Sequence, residues 1–355
     1  MPLHDASPER FPALSVIIPN WNGSPFLFEL LASLGEVATR EIIVVDNGSS
    51  DGSVSMLRDY HPAVRRVELS INEGFSRAVN RGLHLALAPY IAIVNNDTSW
   101  SRDWMGPAVA FLDGNPGYDF AAPLVLNYFR RDRVDSAGDG ITRSLRPYKK
   151  WFDRPAGAVP TEGQDLVAAS CSAVVFRRSF FDRVGSFDED FFMYYEDVDL
   201  FFRGLLRGQR GRLLPGLVVY HREGGSIGWW AEPHGAKQGK AGRQAVVPPI
   251  VAGDSVSSAS PIATVPGGGK AFLLVRNRIW FLVKNCPSGY LAFAWLLLVA
   301  EFMRSLGWHS VHGSLGTFGR GHRRSLAGLA RIRIKRRIIQ RNRRIPLQRL
   351  WQFLG

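Results

Sequence analysis

The stretch Ile42-Ile43-Val44-Val45-Asp46-Asn47-Gly48-Ser49-Ser50-Asp51-Gly52-Ser53 decides the fold. Its apolar half is short and unbroken, the pattern of a strand covered on both faces, and it stops at an acid followed only by turn formers. Ser53 to Tyr60 then suits a helix, so the unit reads strand, loop, helix. The same rhythm extends outward. Upstream, Leu14 to Ile18 is a strand, Pro19 to Pro25 a polar turn with Gly23, and Phe26 to Leu34 a helix; Glu41 to Val45 is then the second strand. Downstream, Val64 to Leu69 is a strand, Gly74 to Leu87 a helix and Tyr90 to Val94 a strand that ends at Asn95-Asn96-Asp97. Strands alternating with helices predict an α/β fold with a mostly parallel sheet. In open sheets of this kind ligands bind beyond the carboxyl ends of the strands, which is where the polar clusters lie.

Farther along, Trp104 to Arg154 shows no clear order, Val167 to Phe176 reads as a strand, and Leu213 to Tyr220 as another that leads into His221. Trp229 to Lys270 is rich in Gly, Pro, Ala, Ser and Val without periodicity and reads as a loop or linker. Ala271 to Lys284 and Tyr290 to Met303 are apolar and aromatic, parted by Cys286-Pro287-Ser288-Gly289. Tyr290 to Ala300 gives 11 uninterrupted apolar residues, against the roughly 20 that a spanning helix needs. The expected organisation is residues 1–228 as catalytic domain, 229–270 as linker, and 271–355 as an apolar and basic helical extension.

The chain has 355 residues, 46% of them hydrophobic, which allows a sizeable core. Its formal net charge of +13 implies a polyanionic neighbour. The charge crowds at the end, through Arg331, Arg333, Lys335, Arg336, Arg337, Arg341, Arg343, Arg344 and Arg349. Beside apolar helices, such a tail suits an anionic membrane surface better than nucleic acid. Two cysteines, Cys171 and Cys286, make no disulfide framework, and Met1 to Phe11 lacks the apolar core of a secretory signal. A cytoplasmic protein, peripheral at the inner face of the cell membrane, is the expectation.

Asp97 follows an apolar strand directly, where a carboxylate can reach a Mg2+ or Mn2+ ion; Asn96 and Asp97 would equally serve as an Asx turn or helix cap. Asp46 ends its strand in the same way, and there a plain turn competes with a binding role. Phe191-Phe192-Met193-Tyr194-Tyr195 precedes Glu196, Asp197 and Asp199, three acids within four residues. Mutual repulsion beside low-dielectric side chains raises such pKa values toward the range of a general base, while the same acids would decorate a helix N-terminus in a purely structural role. Arg203, two turns along, either pairs with an acid or reaches a diphosphate. His221 suits a neutral imidazole ligand, or a structural histidine, and Gly224-Gly225-Ser226 after it a donor-rich loop that can approach phosphate.

In this order the motifs resemble glycosyltransferase family 2, with its GT-A fold, and within it the rhamnosyltransferase-like members. The matching text is Leu14 to Asn22, Ile42 to Ser53, Asn72-Glu73-Gly74-Phe75-Ser76, Asn80-Arg81-Gly82, Leu87 to Asp97, Phe187-Asp188-Glu189 and Tyr195 to Leu200. The resemblance implies a Rossmann-like sheet flanked by helices and a nucleotide-sugar pocket with Pro19, Asn22 and Asp46, and with Asn72 and Gly74 near the nucleotide; Asn96 and Arg203 join them as candidates. It implies Asp97 and His221 as ligands of a divalent metal, one carboxylate where the family commonly has Asp-x-Asp. It makes Asp197 the catalytic base, with Glu196 in reserve. The expected activity is inverting transfer from a nucleoside diphosphate sugar, dTDP-rhamnose by resemblance, to a saccharide or polyprenyl-linked cell-envelope acceptor. A catalytically silent scaffold that binds carbohydrate or tethers a complex to the membrane is the rival. The turn after the first strand lacks G-x-G-x-x-G, which sets a dinucleotide-dependent dehydrogenase aside.

Overall fold

The computed structural model describes residues 13–34, 40–222 and 269–354. The strands are β1 (Leu14–Asn20), β2 (Arg40–Asp46), β3 (Arg65–Glu68), β4 (Tyr90–Val94), β5 (Thr98–Ser99), β6 (Phe120–Asn127), β7 (Val134–Ser136), β8 (Asp139–Ile141), β9 (Pro147–Lys149), β10 (Asp165–Leu166), β11 (Ala173–Arg177) and β12 (Gly211–His221). The helices are α1 (Ser24–Leu34), α2 (Ser53–Tyr60), α3 (Phe75–Leu85), α4 (Met105–Gly114), α5 (Arg178–Val184), α6 (Glu196–Leu206), α7 (Gly269–Asn285), α8 (Ser288–Val311), α9 (Leu315–Arg341) and α10 (Leu347–Phe353). The main sheet runs in the order β10-β12-β6-β11-β4-β1-β2-β3. β4, β1, β2 and β3 are parallel neighbours, as the βαβ rhythm predicts, and β11 is an antiparallel strand between β4 and β6.

Alternation sorts the apolar run of each strand between two layers. Ile17, Ile43, Val45, Ile91 and Ile93 face α3 and α6 through Ala78, Val79 and Leu200, whereas Val16, Ile18, Val44, Ala92 and Val94 face α1 and α4 through Leu27, Leu30 and Ala108. With helices on both sides, these strands need no polar face, which is why the sequence shows unbroken apolar runs. The expected strand Val167 to Phe176 is divided instead: β10 ends at Leu166 and β11 begins at Ala173. In between, Ser170 and Ser172 hydrogen-bond each other, and Ser172 O accepts from Asn95 N, so the small residues form a turn beside the end of β4.

A third apolar cluster joins Phe191, Val198, Phe202 and Leu206 to Trp280, Phe281, Tyr290, Ile332 and Leu350, so one core spans the chain on both sides of the undescribed segment. Much of the apolar surface of Ala271 to Lys284 is packed inside the protein: Phe272, Leu273, Trp280 and Phe281 are all buried, while Leu274 is exposed. α8 carries a run of exposed apolar side chains, among them Trp295, Leu296, Val299, Phe302 and Met303. Among the described residues no helix is long and apolar enough to cross a membrane. The linker reading for residues 229–270 falls outside the described residues except for Gly269 and Lys270, which open α7; the loop Gly224-Gly225-Ser226 and the Met1 to Phe11 segment fall outside them as well.

Buried ion pairs fasten α7 to the rest. Lys284, 2% exposed, bridges Asp188 and Asp199, the latter at 2.8 Å, and Asn285 donates to Asp199 at 2.7 Å. Burial alone would raise the Asp188 carboxyl, yet the charges of Lys284 and Lys335 hold it well below the usual carboxylate range. Lys284→Met removes a shared cation from two buried carboxylates, leaving Asp188 to Lys335 and Asp199 to Arg203, and is expected to cost about 3 kcal/mol in urea denaturation. Because the folded pKa of Asp188 is depressed, its contribution is present above the ordinary carboxylate pKa and fades as pH falls below it. Asp188→Asn should accordingly flatten the acid limb of a stability-against-pH curve; an unchanged limb would assign acid sensitivity to other groups.

Candidate active site

The loops after β1 and β2 are tied together by side-chain amides. Asn20 donates to Asp46 Oδ2 at 2.9 Å and accepts from Asn96 at 2.7 Å, linking the ends of β1, β2 and β4 in one chain of bonds. Asp46 is 2% exposed, and its other oxygen takes the backbone N–H of Ser49 at 2.9 Å. Its structural work is to set the loop; a carboxylate retains further lone pairs for a ligand. Asn22 adopts the left-handed conformation at φ 49° and accepts from Ser50 N at 2.8 Å, with Pro19 half-buried just before it. Asn72 accepts from Asn47 and from Gly74 N, both at 2.9 Å. Gly74 has φ +89°, and a Cβ there would stand 2.5 Å from Phe192 O, so only glycine lets this loop meet the acidic segment. Pro19, Asn22, Asp46, Asn72, Gly74 and Asn96 thus line contiguous loops at one sheet edge, where the sequence placed them.

The second half of the site forms where β12 returns. Register pairs His221 with Thr98, and so sets the imidazole beside Asp97: Nε2 lies 3.2 Å from Asp97 Oδ1. Nδ1 lies 2.7 Å from Asp135 Oδ2, and Asp135 in turn takes Lys149 Nζ at 2.6 Å. Burial works against charging His221, but the hydrogen bonds and charges of Asp135 and Asp97 outweigh it and push the imidazole up to about 9. One carboxylate and one imidazole, the latter oriented by a second carboxylate, make a donor set that fits a divalent ion whose other ligands come from elsewhere. Among the described residues no group of three such ligands gathers, so protein groups alone do not complete a coordination shell.

Asp139, on β8, was not singled out by the sequence reading, nor were Asp135 and Lys149. Burial and then the charge of Asp197 push the Asp139 carboxyl up to about 7. Burial likewise raises Asp197, against hydrogen bonds from backbone N–H groups such as Val198 N at 2.7 Å. Glu196, 7% exposed, is raised well above the usual range by burial and by Asp197. Asp197, half-buried, feels the charge of Lys149, which favours its ionised form; Glu196 carries an oxygen that is buried and without a hydrogen bond. The available signal was the pair of acids in Asp135-Ser136-Ala137-Gly138-Asp139, in the stretch whose order the sequence left open.

Arg203 does not reach a phosphate site. Its guanidinium, 7% exposed, donates to Asp199 at 2.8 Å, Val184 O at 2.7 Å and Ser186 O at 2.8 Å, so every nitrogen is spent on holding α6. Asp199, fully buried between Arg203, Lys284 and Asn285, is the structural acid of the three.

The acids are presented by an unusual backbone. Phe192, Tyr194 and Tyr195 all have positive φ, at 66°, 67° and 72°, conformations that cost non-glycine residues about 1–3 kcal/mol each. Asn277 of α7, fully buried, shares its two N–H hydrogens among Phe191 O at 3.0 Å, Met193 O at 2.9 Å and Tyr194 O at 2.7 Å. Arg276 adds a bond to Phe191 O at 2.8 Å.

A largely parallel α/β sheet with amide-tied loops at the ends of β1 and β2, and an acid–imidazole pair after β4, is the GT-A arrangement of nucleotide-sugar transferases. Residues 15–185 match the family described as glycosyl transferase family 2, so the chain carries a domain of that family. An N-acetylglucosaminyl-diphospho-decaprenol L-rhamnosyltransferase of Mycobacterium tuberculosis is 28% identical over 242 residues, 61% of this chain and 78% of that protein. The low-salt glycan biosynthesis hexosyltransferase Agl10 of Haloferax volcanii is 26% identical over 202 residues, 54% of this chain and 61% of its own length. Among solved structures, S. aureus TarS 1-349 aligns at TM-score 0.45 and 20% identity, over 59% of this chain and 60% of that one. The mannosyltransferase PcManGT from Pyrobaculum calidifontis, in complex with GDP-Man and Mn2+, aligns at TM-score 0.46 and 17% identity, over 98% and 90% of the two chains.

Asn277→Ala leaves buried carbonyls without donors and is expected to destabilise by about 1–3 kcal/mol. It should also lower kcat more than donor affinity, because the acids move while the amide-tied loops stay. Wild-type kcat in a folded variant would show that the acidic segment holds its shape without the Asn277 amide.

Proposed function

We propose that the protein is an inverting glycosyltransferase that moves a hexose from a nucleoside diphosphate sugar to a saccharide or lipid-linked acceptor of the cell envelope, with rhamnose as the sugar. The observation that carries the reading is the raised, half-buried Asp197 beside Asp139 and Lys149, on the same sheet edge as the Asp97–His221 pair. The identity to a rhamnosyltransferase that acts on a decaprenol-linked substrate supports the sugar and the acceptor class.

In this reading Pro19, Asn22, Asp46, Asn72, Gly74 and Asn96 hold the nucleotide. Asp97 and His221 hold a divalent ion, Mg2+ or Mn2+, which supplies neutralisation of the leaving diphosphate. Asp197 takes the proton from an acceptor hydroxyl; that oxygen bonds the anomeric carbon from the side opposite the diphosphate. The bond from the anomeric carbon to the phosphate oxygen breaks, its electron pair leaves with the diphosphate, and the configuration inverts. Burial and the neighbouring Asp197 raise the Glu196 carboxyl well above its ordinary value, which favours its protonated form beside the base.

Donor binding and hydrolysis across a panel of nucleotide sugars, with Mn2+, Mg2+ or chelator, test this. One donor should bind in a metal-dependent way, Asp97→Ala should abolish that binding, and Asp197→Asn should bind without turnover. Lys149→Met removes a positive charge that favours the ionised base, so the acid limb of kcat/KM should move to higher pH. Failure of every nucleotide sugar to bind with any metal would put the silent scaffold first.

The exposed apolar residues of α8 and the arginines of α9 support peripheral attachment to an anionic membrane surface. Flotation with anionic vesicles should survive moderate salt and fall in a Trp295→Glu, Val299→Glu variant, whereas attraction through charge alone is lost with salt.

A further inference from the structure

A cavity beside the proposed nucleotide loops shares Asn72 with them and is otherwise lined by residues to which the mechanism gives no role. It measures about 520 Å3 and lies between the loop after β3, the Glu189–Phe191 turn, α7 and α9, with Trp280 and Gly328 among its walls. Its volume is within the usual range of small-ligand sites, roughly 300–1,000 Å3. Arginines reach it from three elements: Arg77 of α3, Arg276 of α7, and Arg324 and Arg331 of α9. Three carboxylates share the lining, and each has its own cation. Glu189 lies 3.1 Å from Arg77, Glu73 lies 4.0 Å from both Arg77 and Arg81, and Asp190 takes Lys335 at 2.7 Å and Arg331 at 3.4 Å.

That accounting leaves Arg276 and Arg324 without a carboxylate partner among the described residues. Arg276 is 8% exposed and fixed in place: Nε donates to Asn277 Oδ1 at 2.8 Å, one terminal nitrogen to Phe191 O, and the guanidinium lies 4.5 Å from the centre of the Trp280 ring. Trp280 is itself anchored by a bond to Ser325 O at 2.9 Å. Burial and the nearby Arg324 pull Arg276 down to about 10, so the two cations repel each other across the space. Two guanidinium groups on different helices, one preoriented and one exposed, form a fork for a tetrahedral oxyanion; the Asp190 carboxylate also acts on Arg276 but is already paired with Lys335 and Arg331.

We propose that this cavity is a second anion site, built to bind a phosphate or diphosphate ester through Arg276 and Arg324, apart from the Asp97–His221 pair. The site does not depend on the transfer reading. It lies where α7 and α9, the helices that flank the exposed apolar α8, meet the loop that carries Asn72, so the phosphorylated group has two sources: a soluble nucleotide, or a lipid headgroup delivered from the membrane side.

Calorimetric titration of the full chain with inorganic diphosphate, in chelator so that no metal contributes, tests the site. Saturable binding is expected, unchanged in Asp97→Ala and weakened about tenfold or more in Arg324→Gln, as for a lost charge-assisted hydrogen bond. Arg324 is exposed and makes no ion pair or hydrogen bond among the described residues, so its replacement leaves the fold intact; Arg276→Gln, checked for folding by circular dichroism, should weaken binding further. No saturable binding, equal binding in Arg324→Gln, or loss of binding in Asp97→Ala would each overturn the proposal. For the source, phosphatidylcholine vesicles with and without phosphatidic acid are compared with uridine diphosphate. An Arg324-dependent gain with phosphatidic acid assigns a lipid-borne headgroup, and an Arg324-dependent affinity for uridine diphosphate in chelator assigns the soluble one. Independence from Arg324 in both arms counts against the site. Because donor binding at Asp97 needs metal and this binding does not, the two readings fail separately.

Discussion

The buried amide of Asn277 is the contact on which the acidic segment depends. Two N–H hydrogens shared among three carbonyls hold a run with three left-handed, non-glycine residues, and that run turns Glu196 and Asp197 inward at the start of α6. Left alone, such a backbone would relax to ordinary extended or helical angles. Stability is thus spent on geometry, and the cost is offset by the aromatic packing of Tyr195 and Phe202 against Phe281 and by the Lys284 bridge to Asp188 and Asp199. The helix that supplies these groups is distant in sequence from the sheet that supplies the rest of the site.

The same economy of charge runs through the whole edge. Asp46, Asp135, Asp188 and Asp199 are buried acids with hydrogen-bond or cationic partners, and they fix loops, the imidazole, α7 and α6 respectively. Asp139, Asp197 and Glu196 are the acids for which burial prevails, and their carboxyls are raised. The division of labour follows from environment and not from residue type. Arg203 illustrates it among the cations, since a guanidinium with three internal acceptors has nothing left to offer a diphosphate.

Much of this was legible in the residues themselves. Unbroken runs such as Ile42 to Val45 must be strands covered on both sides, and the turn formers after Asp46 must be loops at a sheet edge, so the α/β class and the side of the sheet that carries the polar loops followed from local chemistry. The order of motifs from Leu14 to Leu200 carried the family. Asp97 and His221 were legible as ends of strands, but their 3.2 Å approach came from the register of β12 against β5. Asp139 and Lys149 escaped because short strands such as β8 and β9 carry too few residues to display a period.

By itself, then, the sequence determined which segments are strands, where the polar loops fall, and which acids stand at strand ends, because those are properties of a few neighbouring residues. Only the tertiary structure decided which acids are raised and which are tied, that α7 is a core helix and not a surface one, and that Arg203 is a strut. Each of these depends on partners far along the chain, such as Asn277 for Tyr194 and Lys284 for Asp188, and no local pattern records a contact across that distance.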